Sequence, residues 1–281
     1  MQEGIKKLLK VWLIKKGFKR SYKKRSSRLF ELEGRLLNLY HGNFIEDRLS
    51  ETGQFEPHIS LLARHLINAG DVVFDVGANV GIHTITFSRL VGNTGKVIAF
   101  EPNKLNLERL NLNLALSNAS NVSVEDSAVS EKPGTFTFYE FDDDSYNLGN
   151  HSLVKNETIE DFSKDEAIQT RLIKGDTIDN FCSFYNVTPK FIKMDIEGYE
   201  YYALQGASET LKKGTKLIIE FNSKRIRTIG LKNESFVDIF KDYNCYEIIK
   251  PDIIDEYSSL IPYSFDRDIN CDLLCLPRVE S

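Results

Sequence analysis

The stretch from Asp71 to Thr84, DVVFDVGANVGIHT, constrains the fold of this chain more than any other. Val72 to Phe74 is a short β-branched and aromatic run that closes on Asp75. A turn holding Gly77 and Gly81 follows, and an apolar-periodic segment begins at Ile82. A buried strand that ends in a glycine turn and opens a helix is the first unit of a parallel α/β sheet. The alternation then repeats. KVIAFEP, a helical pattern over Lys104–Asn118 and NVSVEDSAVS come first, then a helix near Ile178–Tyr185 and the strand KFIKMDIEG. A helix over Tyr199–Leu211, the strand KLIIEFN, a helix near Phe236–Tyr243 and the strands CYEIIKP and CDLLCLP complete it. This rhythm predicts a doubly wound, Rossmann-like α/β sheet whose ligand lies at the carboxyl ends of the strands. The last two strands are joined by a turn-rich segment rather than a helical one, which predicts an antiparallel pair at one sheet edge.

Two regions stand outside that rhythm. Leu29 to Tyr40 alternates around Gly34 as a hairpin, and Pro57 to Ala69 has helical spacing with Gly70 as its stop. Thr135 to Thr170 contains TFTFYEF and an acidic, Asn-rich stretch, which reads as an insertion over the pocket mouth. The net charge of −5 is unevenly spread: residues 1–28 hold eleven Lys and Arg against Glu3 alone. Within them Ile5, Leu8, Leu9, Trp12 and Leu13 fall on one helical face. Such a segment suits an anionic membrane surface, a docked helix with solvated lysines, or a nucleic acid. No apolar run approaches the roughly 18 residues of a membrane span. Cys182, Cys245, Cys271 and Cys275 lack zinc spacing and read as small core residues of a reducing compartment, so the expected location is the cytoplasm, with residues 1–28 as the route to peripheral contact with the inner face of a membrane.

The ligand follows from what the turn lacks. A dinucleotide fingerprint needs GxGxxG from Gly77, but Asn79 and Ile82 occupy the second and third glycine positions. Asp75 at the strand end repels a pyrophosphate and suits an ammonium or sulfonium, the charge pattern of S-adenosylmethionine. Glu101 ends the next strand, where an acid accepts from both ribose hydroxyls. Asp126, ending the third, is placed to accept from an adenine amino group.

FDVGANVGIHT, VIAFEPN, NVSVEDSAVS, GNHSL, GDTIDNF, FIKMDIEGYEYYALQGA and LIIEFN occur in the order found in the FkbM family of S-adenosylmethionine-dependent methyltransferases, which the chain resembles from about Phe55 to Phe221. The resemblance implies a class I methyltransferase fold, a seven-stranded, mostly parallel sheet with one antiparallel strand, and O-methylation of a sugar, glycolipid or secondary-metabolite hydroxyl. It divides the chain into a basic arm and hairpin flank, residues 1–54, and a methyltransferase domain, residues 55–281. It implies that Asp75, Gly77, Asn79, Gly81 and Glu101 contact the cofactor, with Asp126 on adenine and Glu56 lining the donor pocket. The same resemblance implies that Asp195, ending the fourth strand, faces the methyl group of the cofactor.

A sugar hydroxyl is a poor nucleophile, so a base or a Lewis acid is expected beside it. Asp195, Glu220 and Asn222 end adjacent strands and offer Mg²⁺ its preferred oxygen ligands. The metal-free alternative gives the proton to Asp195 or Glu197, with Lys193 paired to a neighbouring carboxylate. His151, in GNHSL, is a third candidate base. Glu197 and Glu200 also suit the positive N-terminus of the helix they open. Two other classes of function compete: a nucleic-acid methyltransferase using the basic arm, and a non-catalytic module that binds cofactor or membrane. The acidic remainder of the chain and the lack of an NPPY-like tetrapeptide argue against the nucleic acid.

Overall fold

The computed structural model describes residues 27–40, 44–141, 151–154, 168–249 and 259–278, so nearly all of the basic arm lies outside it. The apolar run after Asp71 forms β3 (Val72–Val76), and its alternate side chains enter two cores. Phe74 joins Ile192, Met194 and Ile219 on one face; Val73 joins Phe191, Ile218 and Leu274 on the other. A strand buried on both faces needs a helical layer on each. One layer is α2 (Pro57–Leu66) with α3 (Ile82–Val91), through Ile59, Ala63, Phe87 and Val91. The other is α5 (Ile178–Tyr185), α6 (Glu200–Gln205) and α7 (Ser208–Lys212), through Ile178, Ala203, Leu204 and Leu211. Each of the Val, Leu, Ile and Phe side chains among them contributes roughly 1.5–3 kcal/mol on burial.

The parallel part of the sheet comprises β5 (Val122–Glu125), β4 (Lys96–Phe100), β3, β9 (Phe191–Met194) and β10 (Lys216–Asn222). Beyond β10 lie β13 (Asn270–Pro277), β11 (Tyr243–Ile249) and β12 (Ser259–Pro262), giving the order β12-β11-β13-β10-β9-β3-β4-β5. The sheet thus has eight strands where the sequence leads to seven, because Ser259–Pro262 within the turn-rich segment pairs with Tyr246–Ile249. The closing strands β11 and β13 do pair antiparallel, but β13 is interior. One of its edges pairs with β10 from Leu217 to Asn222 and the other with β11. The order reverses at β3, flanked by β4 and β9, which opens a crevice at the ends of these strands.

Three other expectations change. The helix over Tyr199–Leu211 is broken into α6 and α7 because Gly206 abuts another segment: a Cβ there would sit 2.2 Å from the Ser130 carbonyl oxygen. The helix near Phe236–Tyr243 is only a 3-10 turn, Asn233–Phe236. Its helically spaced aromatics enter the core from turns, Phe236 and Phe240 both stacking on Phe265. NVSVEDSAVS is two strands: β5 stays in the main sheet, while β6 (Ala128–Val129) joins β8 (Ile168–Asp176) and β7 (Gly134–Phe141) in a separate three-stranded sheet.

The hairpin β1 (Ser27–Leu32) and β2 (Arg35–Tyr40) forms as its alternation predicts, with the helix α1 (Phe44–Thr52) after it. It packs on α4 (Lys104–Leu116): Leu37 and Leu39 share a core with Leu110 and Leu114, and Asn38 N donates to Asn113 Oδ1 at 2.7 Å. Among the described residues no helix is long and apolar enough to cross a membrane.

Candidate active site

The turn after β3 is shaped by what it must avoid. Gly77 has φ 84°, and a Cβ on it would lie 1.9 Å from the Asp195 backbone oxygen, so β3 and β9 can approach only at a glycine. Gly77 N and Ala78 N both donate to Phe100 O at 3.0 Å, tying the turn to β4. Asn79, left-handed at φ 51°, aims its N–H at Glu101 Oε2, 2.7 Å away. The other oxygen of Glu101 accepts from Asn103 N at 2.8 Å, and the Asn103 side chain caps α4 through Asn106 N. Glu101 is 5% exposed; burial pushes its carboxyl up to about 7 against those two backbone bonds.

A cavity of about 270 Å³ opens at this crevice, lined by Gly77, Asn79, Glu101 and, opposite them, Glu56. Glu56 precedes α2 in a left-handed conformation and pairs with His83 Nε2 at 2.9 Å. Burial raises its carboxyl, but the hydrogen bond and charge of His83 outweigh that and hold it at about 2. Asp75 and Gly81 lie behind the lining. Asp75 is 1% exposed and accepts from Thr84 Oγ1 at 2.5 Å; Gly81, at φ 92°, caps α3. Ser127 and Ala128 line the cavity, whereas Asp126 points to solvent at its rim.

The far end of the cavity is acidic. Lys193, 5% exposed, binds Asp195 Oδ2 at 3.1 Å. Burial disfavours its charge, but Asp195, Asp75 and Glu56 together keep it firmly protonated. Oxygens of Asp195, Glu197 and Glu220 come within 4.8 Å of one another. Arg225 bridges the last two, Nη2 to Glu197 Oε2 and Nη1 to Glu220 Oε2, both 2.5 Å. Burial raises Glu197 to about 8 despite Arg225, and raises Glu220 as well, with Glu197 beside it adding to the effect. Glu200 does not line the cavity; its carboxylate accepts from Ile196 N and Gly198 N and so shapes the loop.

The oxygen trio expected for Mg²⁺ is not assembled. Asn222 Oδ1 caps α8 (Ser223–Thr228), accepting from Lys224 N and Arg225 N, and Asn222 is outside the cavity lining. Glu197 takes its place in the cluster, and the Arg225 guanidinium pairs with an oxygen of two of the three carboxylates, supplying the positive charge that a divalent ion would otherwise bring. The residues present do not fit a resident Mg²⁺.

The small sheet forms the roof. Glu140 on β7 is bound by Arg171 on β8 at 3.1 Å and by Asn103 Nδ2 at 2.8 Å, and Arg171 Nη2 also donates to Pro102 O at 2.6 Å. The roof is thereby clipped to the loop that carries Glu101. His151 lines the cavity from this side, its Nδ1 accepting from Phe141 N at 3.1 Å, and Ser152 Oγ donates to Glu197 O at 2.9 Å. Burial and then the charge of Arg171 push the His151 imidazole down to about 3, so it is neutral.

Arg225 and two buried pairs, His83 with Glu56 and His58 with Asp272 at 2.7 Å, escape the sequence reading. Arg225 sits in NSKRIR, which looks like a solvated basic turn. The available signal is Asn222 as an N-cap three residues earlier, since a first-turn side chain points back at the strand end.

Known proteins resemble this chain to different degrees. A hexuronic acid methyltransferase, AglP, of Haloferax volcanii is 25% identical over 153 residues, 54% of this chain and 56% of the relative, so the match spans about half of that relative's length. A SAM-dependent O-methyltransferase structure from Thermotoga maritima aligns with 90% of this chain and 78% of its own, at 13% identity and TM-score 0.46. An rRNA methylase from Streptococcus thermophilus aligns with 79% and 95%, at 11% identity and TM-score 0.42. At such values the strand order, rather than these superpositions, identifies the fold. The Methyltransferase FkbM domain profile matches residues 75–243, which contain the glycine turn, Glu101 and the acidic cluster, and the chain belongs to that family.

Proposed function

We propose that the protein transfers a methyl group from S-adenosylmethionine to a hydroxyl oxygen of a sugar or sugar-bearing metabolite. The observation that carries the donor is Glu101: buried, held by two backbone N–H groups, and placed at the switch point beside a turn too tight for any Cβ. Its oxygens are set to accept from a ribose diol, and Glu56 lines the cavity where an ammonium would sit, with Asp75 behind the wall. Gly77, Asn79 and Gly81 shape the backbone around the donor, Ser127 and Ala128 bound its adenine end, and Asp126 stands at the rim of that end. The bound donor supplies an electrophilic methyl on a sulfonium whose positive charge disappears on transfer.

Asp195 ends β9 next to Gly77 and faces the reacting methyl, oriented by Lys193. The acceptor hydroxyl gives its proton to a carboxylate of the acidic cluster, with Glu197 the favoured base: its raised proton affinity makes its ionised form the stronger acceptor. Arg225 stabilises that carboxylate until it takes the proton. The remaining contribution is alignment in a pocket closed by the roof. No step runs through Mg²⁺. A sugar acceptor accords with the Haloferax relative being a hexuronic acid methyltransferase. The nucleic-acid alternative sits poorly with the cavity lining, which among the described residues holds five carboxylates and two cations, Lys193 and Arg225.

Calorimetric titration with S-adenosylhomocysteine, with NAD as control, tests the donor. Methyl transfer from labelled S-adenosylmethionine across a panel of sugars tests the acceptor. Binding of the homocysteine analogue without NAD binding is expected, as is loss of transfer in Asp75→Ala. A folded protein that binds neither would overturn the reading.

A further inference from the structure

His151 is the one residue of the roof whose chemistry the geometry fixes. Its ring is 7% exposed and packs against Phe138 and Phe141, with centroids 6.1 and 6.3 Å away. Phe141 N–H donates to Nδ1, and a nitrogen that accepts cannot carry a proton. In the neutral ring the proton is therefore on Nε2. That atom is buried and has no hydrogen-bond partner among the described residues, although the ring lines the cavity. A buried N–H left without an acceptor costs about 1–3 kcal/mol, so a site that keeps one is built for an acceptor supplied from outside.

The neighbouring segment shows which part of the cavity this donor serves. Ser152 is bonded to the carbonyl of Glu197, and Val154 approaches within 3.4 Å of a Cβ built on Gly198. The 151–154 segment thus lies over the acidic cluster rather than over the glycine turn. Arg171 bonds Glu140 and Pro102 O, and its charge opposes any second proton on the ring.

We infer that His151 is held as the Nε2–H tautomer and donates to an oxygen of the bound acceptor, so that it orients the acceptor and does not deprotonate it. This rests on the acceptor-methylation reading above and assigns the sugar-binding donor within it. A neutral ring whose free nitrogen already bears the proton has no lone pair to offer a hydroxyl, which leaves proton removal to the carboxylates.

The test uses the full chain labelled with ¹⁵N-histidine, the five imidazoles being told apart by the signal lost in His151→Phe. S-adenosylhomocysteine is added first, then glucose, galactose and mannose separately. The expected result is an Nε2-protonated ring that does not titrate between pH 5.5 and 9 and whose N–H signal moves with at least one hexose. His151→Phe should bind S-adenosylhomocysteine as the parent does and that hexose about tenfold more weakly, with affinity restored in His151→Gln, which keeps a donor. A purely structural residue would not be rescued by the amide. A ring that titrates near neutrality, a proton on Nδ1, a signal that moves with S-adenosylhomocysteine alone, or no response to any hexose would each overturn the assignment. Failure to bind S-adenosylhomocysteine would instead overturn the donor reading, and the tautomer would still be read from the same spectra.

Discussion

Replacing Arg225 with Met tests the electrostatics of the acidic cluster most directly. Arg225 is 7% exposed, and its guanidinium is shared between Glu197 and Glu220, with Asp195 close by. Met preserves much of the aliphatic volume but leaves two half-buried carboxylates, Glu197 and Glu220, facing each other. Removing one partner of a buried ionic cluster costs about 3–5 kcal/mol. At roughly 2–4 °C per kcal/mol for a chain of this size, that lowers Tm by about 6–20 °C. The cost must grow with pH. Glu197 already has a folded pKa raised from 4.5 to about 8, so its contribution to stability is present below 4.5 and is lost as pH rises towards 8. Without Arg225 the folded state holds both carboxyls protonated to still higher pH, while the unfolded chain ionises them above about 4.5. Each group then adds a penalty of about 1.36 kcal/mol per pH unit over the wider window. Urea unfolding of parent and variant at pH 5 and pH 9 should therefore show a larger difference at pH 9. Adding Glu197→Gln to the variant should restore about 1–3 kcal/mol at the higher pH. An equal loss at both pH values, or no recovery in the double variant, would mean that Arg225 contributes packing rather than charge.

Three further outcomes are expected. If ribose hydroxyls donate to Glu101, ligand binding requires its ionised form. Affinity for S-adenosylhomocysteine, measured by calorimetry, should then be about tenfold weaker at pH 6 than at pH 8, and this dependence should vanish in Glu101→Gln. Gly77→Ala should abolish that binding because its methyl would meet the Asp195 backbone. Gly81→Ala, which meets the movable Leu110 side chain at 2.6 Å, should reduce binding and cost about 1–3 kcal/mol of stability, both readable in a ligand-dependent melt. If the full chain floats with anionic vesicles through its basic arm, deleting residues 1–28 should abolish that flotation while leaving S-adenosylhomocysteine affinity unchanged; persistent flotation would show that the arm is not the membrane contact.

What could be read from the chain follows from the range of each interaction. The bounds of α3 and α5 and the placing of Glu101 and Gly77 depend on neighbours within one strand-turn-helix unit, where spacing and turn chemistry suffice. Asn222 illustrates the limit. Strand order brings it near Asp195 and Glu220, yet the hydrogen bonds to Lys224 N and Arg225 N claim its oxygen for the next helix. His151 is legible as a histidine in a pocket insertion, but its tautomer depends on a backbone N–H ten residues upstream. The strand β12 and the interior position of β13 depend on pairing partners between 10 and 58 residues apart, which periodicity does not encode.

The strands β7 and β8 pair without interruption from Gly134 with Gly175 to Phe141 with Ile168. Near the cavity, then, the chain leaves and returns at two adjacent points fixed by backbone hydrogen bonds and by the Glu140–Arg171 pair. Between those points the 151–154 stretch is anchored again, Ser152 bonding Glu197 O and pairing with Tyr139, so only the residues on either side of it can lengthen at the slow, logarithmic cost of closing a longer loop. Variation in those flanking residues is therefore separable from the stability of the glycine turn, and grafting them from one family member into another while keeping 151–154 is a practical route to altered selectivity.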